Sequence, residues 1–245
     1  MPEPTETIPA PCAVGPGAIP CHLFEPDQAP HAVALVVHGR NGAMHQPHIQ
    51  ALIQAYLTRG WRVMAPDLPH SAATPASGPS EDVTMDGHAR AAGDVLTAIL
   101  RDHSEGLPLG LCGHSLGAHA IAAIAGDVPE LHHLLAVSPV VSGLALLDAR
   151  AAMGPPALEA LAREAPRMRE TMASESAVPF LERLEAPVAV MTGALDGLTP
   201  PAAARAYFDA APRACFYAVL KGQHHCPTGP ELDRALASSF DAVDS

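Results

Sequence analysis

Short runs of apolar residues recur along the chain and predict the strands of a central sheet. The run at residues 32–37 is apolar on both faces, which is typical of a parallel strand buried between two layers of helices. The runs that predict these strands cover residues 32–37, 61–65, 109–112, 134–139, 188–192 and 215–220. Residues 12–24 place Gly and Pro between short apolar stretches, which predicts an antiparallel pair at one edge of the sheet.

Segments with apolar residues at helical spacing separate the predicted strands. Residues 47–59, for example, carry Ile49, Ile53 and Tyr56 on one face, and Gly60 follows as a C-terminal glycine. Further segments of this kind cover residues 84–103, 116–125, 201–210 and 230–243. Strand, helix and strand in this order imply right-handed parallel crossovers. The chain is therefore predicted to be an α/β protein with a mostly parallel central sheet flanked by helices.

Residues 143–185 interrupt this alternation. They contain two helix-forming segments with charged faces, Leu144–Met153 and Leu158–Met172, and few residues that favour strands. We therefore predict a small helical insertion between two strands. Residues 70–83 lack periodicity and are predicted to form a loop near one end of the sheet. Since no internal repeat or interdomain linker interrupts the pattern, residues 1–245 are predicted to form a single domain.

The composition argues against several classes of protein. With 48% hydrophobic and 16% charged residues among 245, the chain is expected to fold around a substantial core. A net charge of −12 without any basic cluster argues against nucleic acid as a partner. No apolar run approaches the roughly 20 residues of a membrane helix, and no membrane partner is expected. Residues 1–10 predict a loose acidic tail rather than a signal peptide, so a cytoplasmic location is expected. The sequence carries no signal for an oligomeric state.

The five cysteines, at positions 12, 21, 112, 215 and 226, include no Cys-x-x-Cys pair. Zinc-finger and dithiol redox sites are therefore not indicated. Cys12 and Cys21 could meet across the predicted edge hairpin, but the expected reducing compartment favours free thiols.

Histidine is frequent, with fourteen residues, and several histidines lie close together in sequence. The closely spaced groups are His38/His45/His48, His132/His133 and His224/His225. None of these groups forms a coherent ligand frame, so no metal site is expected. His114 and His119 are interpreted as packing or helix-surface residues.

The segment from Leu109 to Ala120 contains the clearest chemical motif. Its apolar run ends in Gly113-His114-Ser115-Leu116-Gly117, and helix-compatible residues follow at once. Gly-x-Ser-x-Gly between a strand and a helix is the sequence form of a nucleophile elbow. Its apex residue is expected in a strained conformation, and the glycines let neighbouring backbone pass closely. Ser115 is therefore the candidate nucleophile. A serine hydroxyl needs a histidine base, and that base needs an acid to orient it.

Candidates for the acid and the base follow later strands. Asp196 comes after the next-to-last predicted strand, and Asp148 comes after the strand before it. His224 and His225 both follow the last predicted strand. The order Ser, Asp, His places the three side chains at the carboxyl ends of the strands, where ligand sites of open α/β sheets lie.

These motifs, in this order, resemble those of the α/β-hydrolase superfamily over nearly the whole chain. Residues 38–42, His-Gly-Arg-Asn-Gly, resemble the oxyanion loop of small esterases, which often reads His-Gly-Arg-Gly-Gly. Residues 65–69 resemble the loop after the next central strand, and residues 113–117 resemble the elbow. Residues 193–200, Gly-x-x-Asp-x-x-x-Pro, resemble the acid loop, and residues 222–225, Gly-x-x-His, resemble the histidine loop.

The resemblance implies roles for the candidate residues. Ser115 would be the nucleophile. The Gly and Pro that frame the acid loop favour Asp196 over Asp148 as the acid. The spacing within the histidine loop favours His225 over His224 as the general base. In this scheme the acid orients the imidazole and stabilises the imidazolium that forms.

The resemblance also implies an oxyanion hole and a cap. The backbone N–H groups of Arg40 and Leu116 are expected to bind the oxyanion. The Arg40 side chain is expected to be solvated at the surface, although it could meet an anionic group of a substrate. In an α/β-hydrolase fold, residues 143–185 would form a small helical cap over the active site.

One loop departs from the family pattern, because His70-Ser71-Ala72 stands where many members have Gly-His-Gly. This departure, together with serine at the elbow, argues against the epoxide-hydrolase and dehalogenase branch, which needs an aspartate there. Dienelactone-hydrolase-like catalysis, with its elbow cysteine, is excluded likewise. The resemblance implies a serine carboxylesterase that needs no cofactor and acts on small-molecule esters of small to medium acyl groups. The alternatives are thioester hydrolysis, C–C bond hydrolysis or perhydrolysis by the same triad, and a hydrolase-fold protein that only binds a small ligand.

Overall fold

A single sheet forms the centre of the protein in the computed structural model, which describes residues 12–245. The predicted tail at residues 1–10 lies outside the described residues. The strands are β1 (Cys12–Val14), β2 (Ile19–Phe24), β3 (Ala32–Val37), β4 (Trp61–Pro66), β5 (Leu109–His114), β6 (His133–Val137), β7 (Val188–Gly193) and β8 (Ala214–Leu220). Their order is β1-β2-β4-β3-β5-β6-β7-β8. The pairs β1–β2 and β2–β4 are antiparallel, and all other neighbours are parallel.

Strand β3 shows why the central strands are apolar throughout. Val33, Leu35 and Val37 face one layer of the core, whereas Ala34 and Val36 face the other. All of these side chains are buried. A strand covered by helices on both faces has no solvent-facing positions, so its sequence shows no alternation. The predicted α/β architecture is confirmed.

Nine α-helices lie among the described residues. They are α1 (Pro47–Leu57), α2 (Met85–Asp102), α3 (Leu116–Ile124), α4 (Gly143–Ala152), α5 (Pro155–Glu164), α6 (Pro166–Thr171), α7 (Val178–Leu181), α8 (Pro201–Ala210) and α9 (Pro230–Val243). Helices α2, α3, α7 and α8 pack on one face of the sheet, and α1 and α9 pack on the other. The sheet therefore lies between two helical layers.

Local signals in the sequence account for where many helices begin. Six of the nine carry a proline within their first two positions. An N–H at these positions has no acceptor within the helix, so the N–H that proline lacks costs no hydrogen bond. Helix α2 begins after Thr84, whose hydroxyl accepts a hydrogen bond from the Gly87 N–H at 2.9 Å. No helix within residues 12–245 is long and apolar enough to cross a membrane.

The antiparallel edge hairpin is also confirmed, since β1 and β2 pair along one side of the sheet. Their register places Cys12 directly opposite Cys21. The Cys12 thiol donates to the Cys21 carbonyl at 3.4 Å, and both residues are free cysteines.

The insertion between β6 and β7 is helical as predicted, but its second helix is divided. The sequence pattern predicts one helix over residues 158–172, whereas α5 ends at Glu164 and α6 begins at Pro166. Ala165, between them, has φ −145° and ψ 62°. Because a proline disfavours helical geometry in the residue before it, the chain must bend at this point. The prediction missed a break that Pro166 already encoded.

The insertion packs onto the carboxyl ends of the central strands. Leu146, Leu161 and Met168 from α4, α5 and α6 form a small core with Leu116 and Val140. Leu116 follows β5 and Val140 follows β6, so this core joins the insertion to the sheet. We call α4 to α7 the cap.

Candidate active site

Ser115 lies at the turn between β5 and α3 with φ 56° and ψ −117°, a strained conformation for a residue other than glycine. A Cβ on Gly117 would lie 2.2 Å from the Val37 carbonyl oxygen, and one on Gly113 would lie 2.5 Å from the Gly117 carbonyl carbon. Only glycine fits at either position, because no Cβ tolerates contacts this short. The strained elbow that the sequence predicts is confirmed.

The structure brings Ser115, Asp196 and His225 together from three separate loops. The Ser115 Oγ lies 2.9 Å from Nε2 of His225. On the other side of the ring, Nδ1 of His225 lies 2.9 Å from Oδ2 of Asp196. With Nδ1–H donating to the carboxylate, Nε2 is free to accept the hydroxyl proton. The three residues therefore form a continuous hydrogen-bonded chain that leads from a buried carboxylate to the serine hydroxyl.

The Asp196 carboxylate is held by its own loop. Its Oδ1 accepts hydrogen bonds from the N–H groups of Leu198 and Thr199, both at 2.9 Å. Burial raises its pKa, but the hydrogen bond and charge of His225 and the bonds from Thr199 outweigh that effect and hold the pKa below 3.8. The group is thus kept ionised at neutral pH, as an acid that orients an imidazole must be.

Thr199 is a site residue that the sequence analysis did not identify. Its Oγ1 lies 2.8 Å from Oδ2 of Asp196 and 2.9 Å from the carbonyl oxygen of Ser138. It also lies 3.3 Å from Nδ1 of His225. The only sequence signal was its position directly before Pro200 in the acid loop.

Replacing Thr199 with valine is expected to lower kcat/KM for an ester substrate by roughly tenfold, since a hydrogen bond to a charged group contributes about 1.5–3 kcal/mol. The loss of one donor also raises the pKa of Asp196. Ester hydrolysis measured from pH 5 to pH 9 checks this. A variant with an unchanged pH profile and an unchanged rate would contradict a positioning role for the hydroxyl.

The alternative acid and base lie away from this chain of hydrogen bonds. Asp148 is an exposed residue of α4. His224 is exposed, and its Nδ1 lies 3.2 Å from the Leu195 carbonyl oxygen. The geometry thus brings Asp196 and His225 to Ser115, and it leaves Asp148 and His224 outside.

The loop after β3 is held against the nucleophile by buried histidines. Nε2 of His38 accepts from the Leu68 N–H at 2.9 Å, so its Nδ1–H donates to the Gly39 carbonyl at 2.8 Å. His88 Nε2–H donates to the His38 carbonyl at 2.9 Å. A Cβ on Gly39 would lie only 2.8 Å from Cβ of Ser115. The loop therefore passes the serine at the closest distance that the backbone allows.

The two predicted oxyanion donors flank this contact. Arg40 follows Gly39 in the loop, and Leu116 occupies the first position of α3, where no intrahelical acceptor exists for its N–H. Arg40 and Leu116 both line the same small cavity as Ser115. Their roles as oxyanion donors are a proposal.

His114 contributes more than packing to the site. Its Nε2–H donates to the backbone carbonyl of His225 at 2.8 Å, which ties the histidine loop to the end of β5. Burial lowers the pKa of His114 well below 6.5, so its ring is neutral. His119 is buried within α3, in keeping with its interpretation as a packing residue.

A cavity of about 80 Å³ opens at Ser115 and His225. Loops that follow the central strands and helices of the cap line this cavity. The other lining residues are Arg40, Leu116, Val140, Leu146, Arg150, Met168 and Leu198. Leu146 and Arg150 belong to α4 and Met168 belongs to α6, so the cap supplies much of the wall.

The Arg40 side chain does not lie free in solvent, and the expectation of a solvated surface arginine was wrong. Its side chain is only 15% exposed and lines the cavity. Its Nη2 lies 3.4 Å from Oε2 of Glu164, a residue of the cap. The cap covers the loop after β3, and that contact between distant segments is invisible in the local sequence.

One group of potential metal ligands occurs among residues 12–245. The ligand atoms of His48, His114 and Cys226 lie within 4.8 Å of one another. The group differs from those considered from sequence spacing, because it unites residues from three separate elements. His114 already uses Nε2 for the His225 carbonyl, which leaves Nδ1 as its one available ligand atom.

The fold resembles that of several solved hydrolases. Est1E from Butyrivibrio proteoclasticus is 14% identical, with a TM-score of 0.73 over 97% of this chain and 100% of that chain. An esterase from Pyrococcus furiosus is 15% identical, with a TM-score of 0.72 over 97% of this chain and 89% of that chain. An alpha-beta serine hydrolase homologue from Coxiella burnetii is 16% identical, with a TM-score of 0.65 over 100% of this chain and 99% of that chain. At these identities the likeness establishes the fold.

Comparison of sequences gives a consistent result. No curated protein matches the chain. A family model described as the alpha/beta hydrolase family matches residues 34–243, which span the sheet from β3 onward, the elbow and the loops that carry Asp196 and His225. The predicted α/β-hydrolase fold is confirmed, and the chain belongs to the alpha/beta hydrolase family.

Proposed function

We propose that the protein is a serine hydrolase that cleaves carboxylic esters of small to medium acyl groups through an acyl-enzyme. The observation that carries the proposal is the chain of two 2.9 Å contacts from Ser115 Oγ through His225 to Asp196. The chain joins Ser115, which is strained and lines the cavity, to the imidazole of His225. The other nitrogen of that imidazole lies next to the ionised carboxylate of Asp196. This arrangement suits acyl transfer.

The first half of the reaction forms the acyl-enzyme. Nε2 of His225 takes the Ser115 proton as Oγ attacks the ester carbonyl carbon, and Asp196 stabilises the imidazolium. The carbonyl oxygen gains the negative charge of the tetrahedral intermediate. When the intermediate collapses, the ester C–O bond breaks and His225 gives its proton to the departing alcohol.

The second half hydrolyses the acyl-enzyme. Nε2 of His225 takes a proton from water as the water oxygen attacks the acyl carbon. A second tetrahedral intermediate forms, and its collapse returns the proton to Ser115 Oγ and releases the carboxylic acid. The same three residues serve both halves, so the reaction as proposed needs no cofactor.

The developing oxyanion needs donors on the side of Ser115 that faces the loop after β3. We assign this role to the backbone N–H groups of Arg40 and Leu116. Each such donor contributes about 3 kcal/mol to lowering the barrier. The His38 and His88 hydrogen bonds fix the loop that carries Arg40, so the donor is held in place before the substrate binds.

The size of the cavity supports small to medium acyl groups. About 80 Å³ is available beside Ser115, and the cap residues Leu146 and Met168 limit it. The Pyrococcus furiosus protein is named as an esterase, and Est1E has been solved with ferulic acid bound. These neighbours favour ester hydrolysis over the other reactions of a serine triad.

Hydrolysis of p-nitrophenyl acetate, butyrate, octanoate and laurate tests the proposal. We expect the highest kcat/KM for acetate or butyrate and a steep loss for laurate. S-ethyl thiobutyrate, assayed beside ethyl butyrate, separates a thioesterase from an esterase. Hydrolysis of thioesters alone would replace the proposed reaction with thioester hydrolysis. Tight, stoichiometric retention of a small ligand without turnover of any ester would instead indicate a binding protein.

A further inference from the structure

Two arginines face the cavity at Ser115, although the chain as a whole carries a net charge of −12. Arg40 comes from the loop after β3, and Arg150 comes from α4 of the cap. They are separated by more than a hundred residues in sequence, and the cap brings them to the same wall. Positive charge is thus concentrated at the candidate active site of an acidic protein.

Both guanidinium groups contain buried atoms that lack a partner. Nη1 of Arg40 and Nε of Arg150 are buried and have no hydrogen bond to any described residue. A buried N–H donor without an acceptor is costly, and the cost is larger in a charged group. Arginine presents its donors in a fixed fork, which matches the two oxygens of a carboxylate. Each of the two guanidinium groups in the cavity wall therefore retains one buried donor without an acceptor.

The charges in the wall do not balance. Glu164, on α5, is the acidic side chain that contacts Arg40, at 3.4 Å, and it is 44% exposed. Burial and the neighbouring charge of Arg40 lower the pKa of Arg150, whereas Glu164 raises it. Arg40 and Arg150 line the cavity itself, whereas Glu164 lies outside its lining and the ionised Asp196 lies behind His225. The wall thus presents guanidinium groups to a substrate, which suits a substrate with an anionic group.

We propose that Arg40 and Arg150 bind a carboxylate of the substrate, so the preferred substrates are esters that carry a free carboxylate a few bonds from the scissile carbonyl. The inference rests on the proposed esterase function and specifies its substrate class. The small cavity and the apolar surfaces of Val140, Leu146 and Met168 favour a short aliphatic link between the two groups. Glu164 competes for Arg40, but its carboxylate is 44% exposed and the 3.4 Å separation is long for a charge-assisted hydrogen bond, so a substrate carboxylate can displace it.

Two pairs of isosteric esters test the inference on either side of the scissile bond. In the first pair the difference lies in the acyl part, because monoethyl succinate carries a carboxylate where ethyl levulinate carries a methyl ketone. Acetoxyacetate and acetoxyacetone differ in the same way in the alcohol part. The rate of proton release measures the hydrolysis of all four esters. In at least one pair, we expect the wild-type kcat/KM to be about tenfold higher for the carboxylate ester.

Variants of the two arginines identify the groups responsible. Arg150→Gln and Arg40→Gln are each expected to lower the ratio of carboxylate to neutral ester by roughly tenfold. Arg150→Lys keeps the charge but loses the fork, so its ratio falls between those of Arg150→Gln and the wild type. Glu164→Gln removes the competing carboxylate and raises the ratio. Arg169→Gln, an exposed arginine of α6 outside the cavity, is the matched control and leaves the ratio unchanged.

The outcomes separate this inference from the proposed function. If the wild type hydrolyses both members of each pair at equal rates, the carboxylate site does not exist, whereas the esterase function stands. The same conclusion follows if both arginine variants retain the wild-type ratio. If no ester is hydrolysed, the proposed esterase function is wrong. Calorimetry with succinate then shows whether the protein has a carboxylate-binding site. Binding that Arg150→Gln abolishes supports the carboxylate site, and absence of binding to the wild type overturns it.

Discussion

Replacement of Ser115 with alanine is expected to lower kcat for p-nitrophenyl butyrate by about 10⁵-fold while the fold persists. The change removes the hydroxyl that lies 2.9 Å from His225 and leaves no group to carry the acyl chain. Residual catalysis comes from the oxyanion donors and from substrate binding alone. Because alanine retains a Cβ, the φ of 56° is no more strained than in the native protein. Circular dichroism of the variant, compared with that of the wild type, checks that the fold persists.

Matched histidine variants provide the control. His225→Ala removes the proposed base and is expected to lower kcat to a similar extent, since the triad residues act as a unit. His224→Ala changes the neighbouring exposed residue and is expected to leave kcat within about threefold, because surface changes away from a site have small effects. Comparable losses in both histidine variants, or a Ser115→Ala variant near wild-type activity, would show that another residue performs the chemistry.

A steep loss of stability on mild acidification is the second large effect that we expect. Burial lowers the pKa of six histidines below the ordinary value of 6.5. The residues are His38, His48, His88, His114, His119 and His133. The lowered values are about 4 for His48 and His119 and about 3 for His88 and His133. Hydrogen bonding also fixes the neutral form of His38, because its Nε2 accepts from the backbone N–H of Leu68 at 2.9 Å.

The sign of the effect follows from proton binding. Well above pH 6.5 the histidines are neutral in both the folded and the unfolded chain, so they do not affect the free energy of unfolding; at pH 6.5 they are already half-protonated in the unfolded chain. As the pH falls below 6.5, the unfolded chain takes up protons that the folded chain excludes. Each buried histidine then costs about 1.4 kcal/mol per pH unit until its folded pKa is reached. Several together approach the total stability of a typical domain, about 5–15 kcal/mol.

Urea unfolding at pH 7.5, 6.5 and 5.5 measures this dependence. We expect a moderate fall in the urea midpoint from pH 7.5 to 6.5 and a much larger fall from pH 6.5 to 5.5. His119→Leu, within α3, is expected to reduce the slope of unfolding free energy against pH by about one proton. His45→Leu, at an exposed position, is the matched control. A midpoint that does not change between pH 7.5 and 5.5 would mean that the buried histidines are protonated in the fold.

The sequence predicted the architecture well because the signals for it are local. A run such as residues 32–37, apolar on both faces, leaves few alternatives to a buried parallel strand. Helix α8 begins and ends where the sequence predicts, since Pro201 marks its start. The elbow at Gly113–Gly117 joins three independent requirements, a strand, a close approach and a helix start, in five residues. Where physical constraints coincide in a short segment, sequence reasoning is strong.

The parts of the site that the sequence did not predict depend on contacts between distant segments. The Arg40 side chain is covered because Glu164 and Arg150 of the cap meet the loop after β3. Thr199 gained a role only when the loop brought its hydroxyl to Asp196. No local pattern distinguishes such residues from their solvated counterparts. The break between α5 and α6 is a different case, because Pro166 marked it and apolar periodicity outweighed that signal.

Covalent modification by diisopropyl fluorophosphate tests most directly whether Ser115 is the nucleophile of an esterase. We expect the hydrolysis of p-nitrophenyl butyrate to decline in proportion to the formation of a single adduct per chain. Mass mapping is expected to place that adduct on Ser115, and Ser115→Ala is expected to remain unmodified. Retention of activity in chains fully modified at Ser115, or inactivation that maps to a different residue, would show that Ser115 is not the nucleophile.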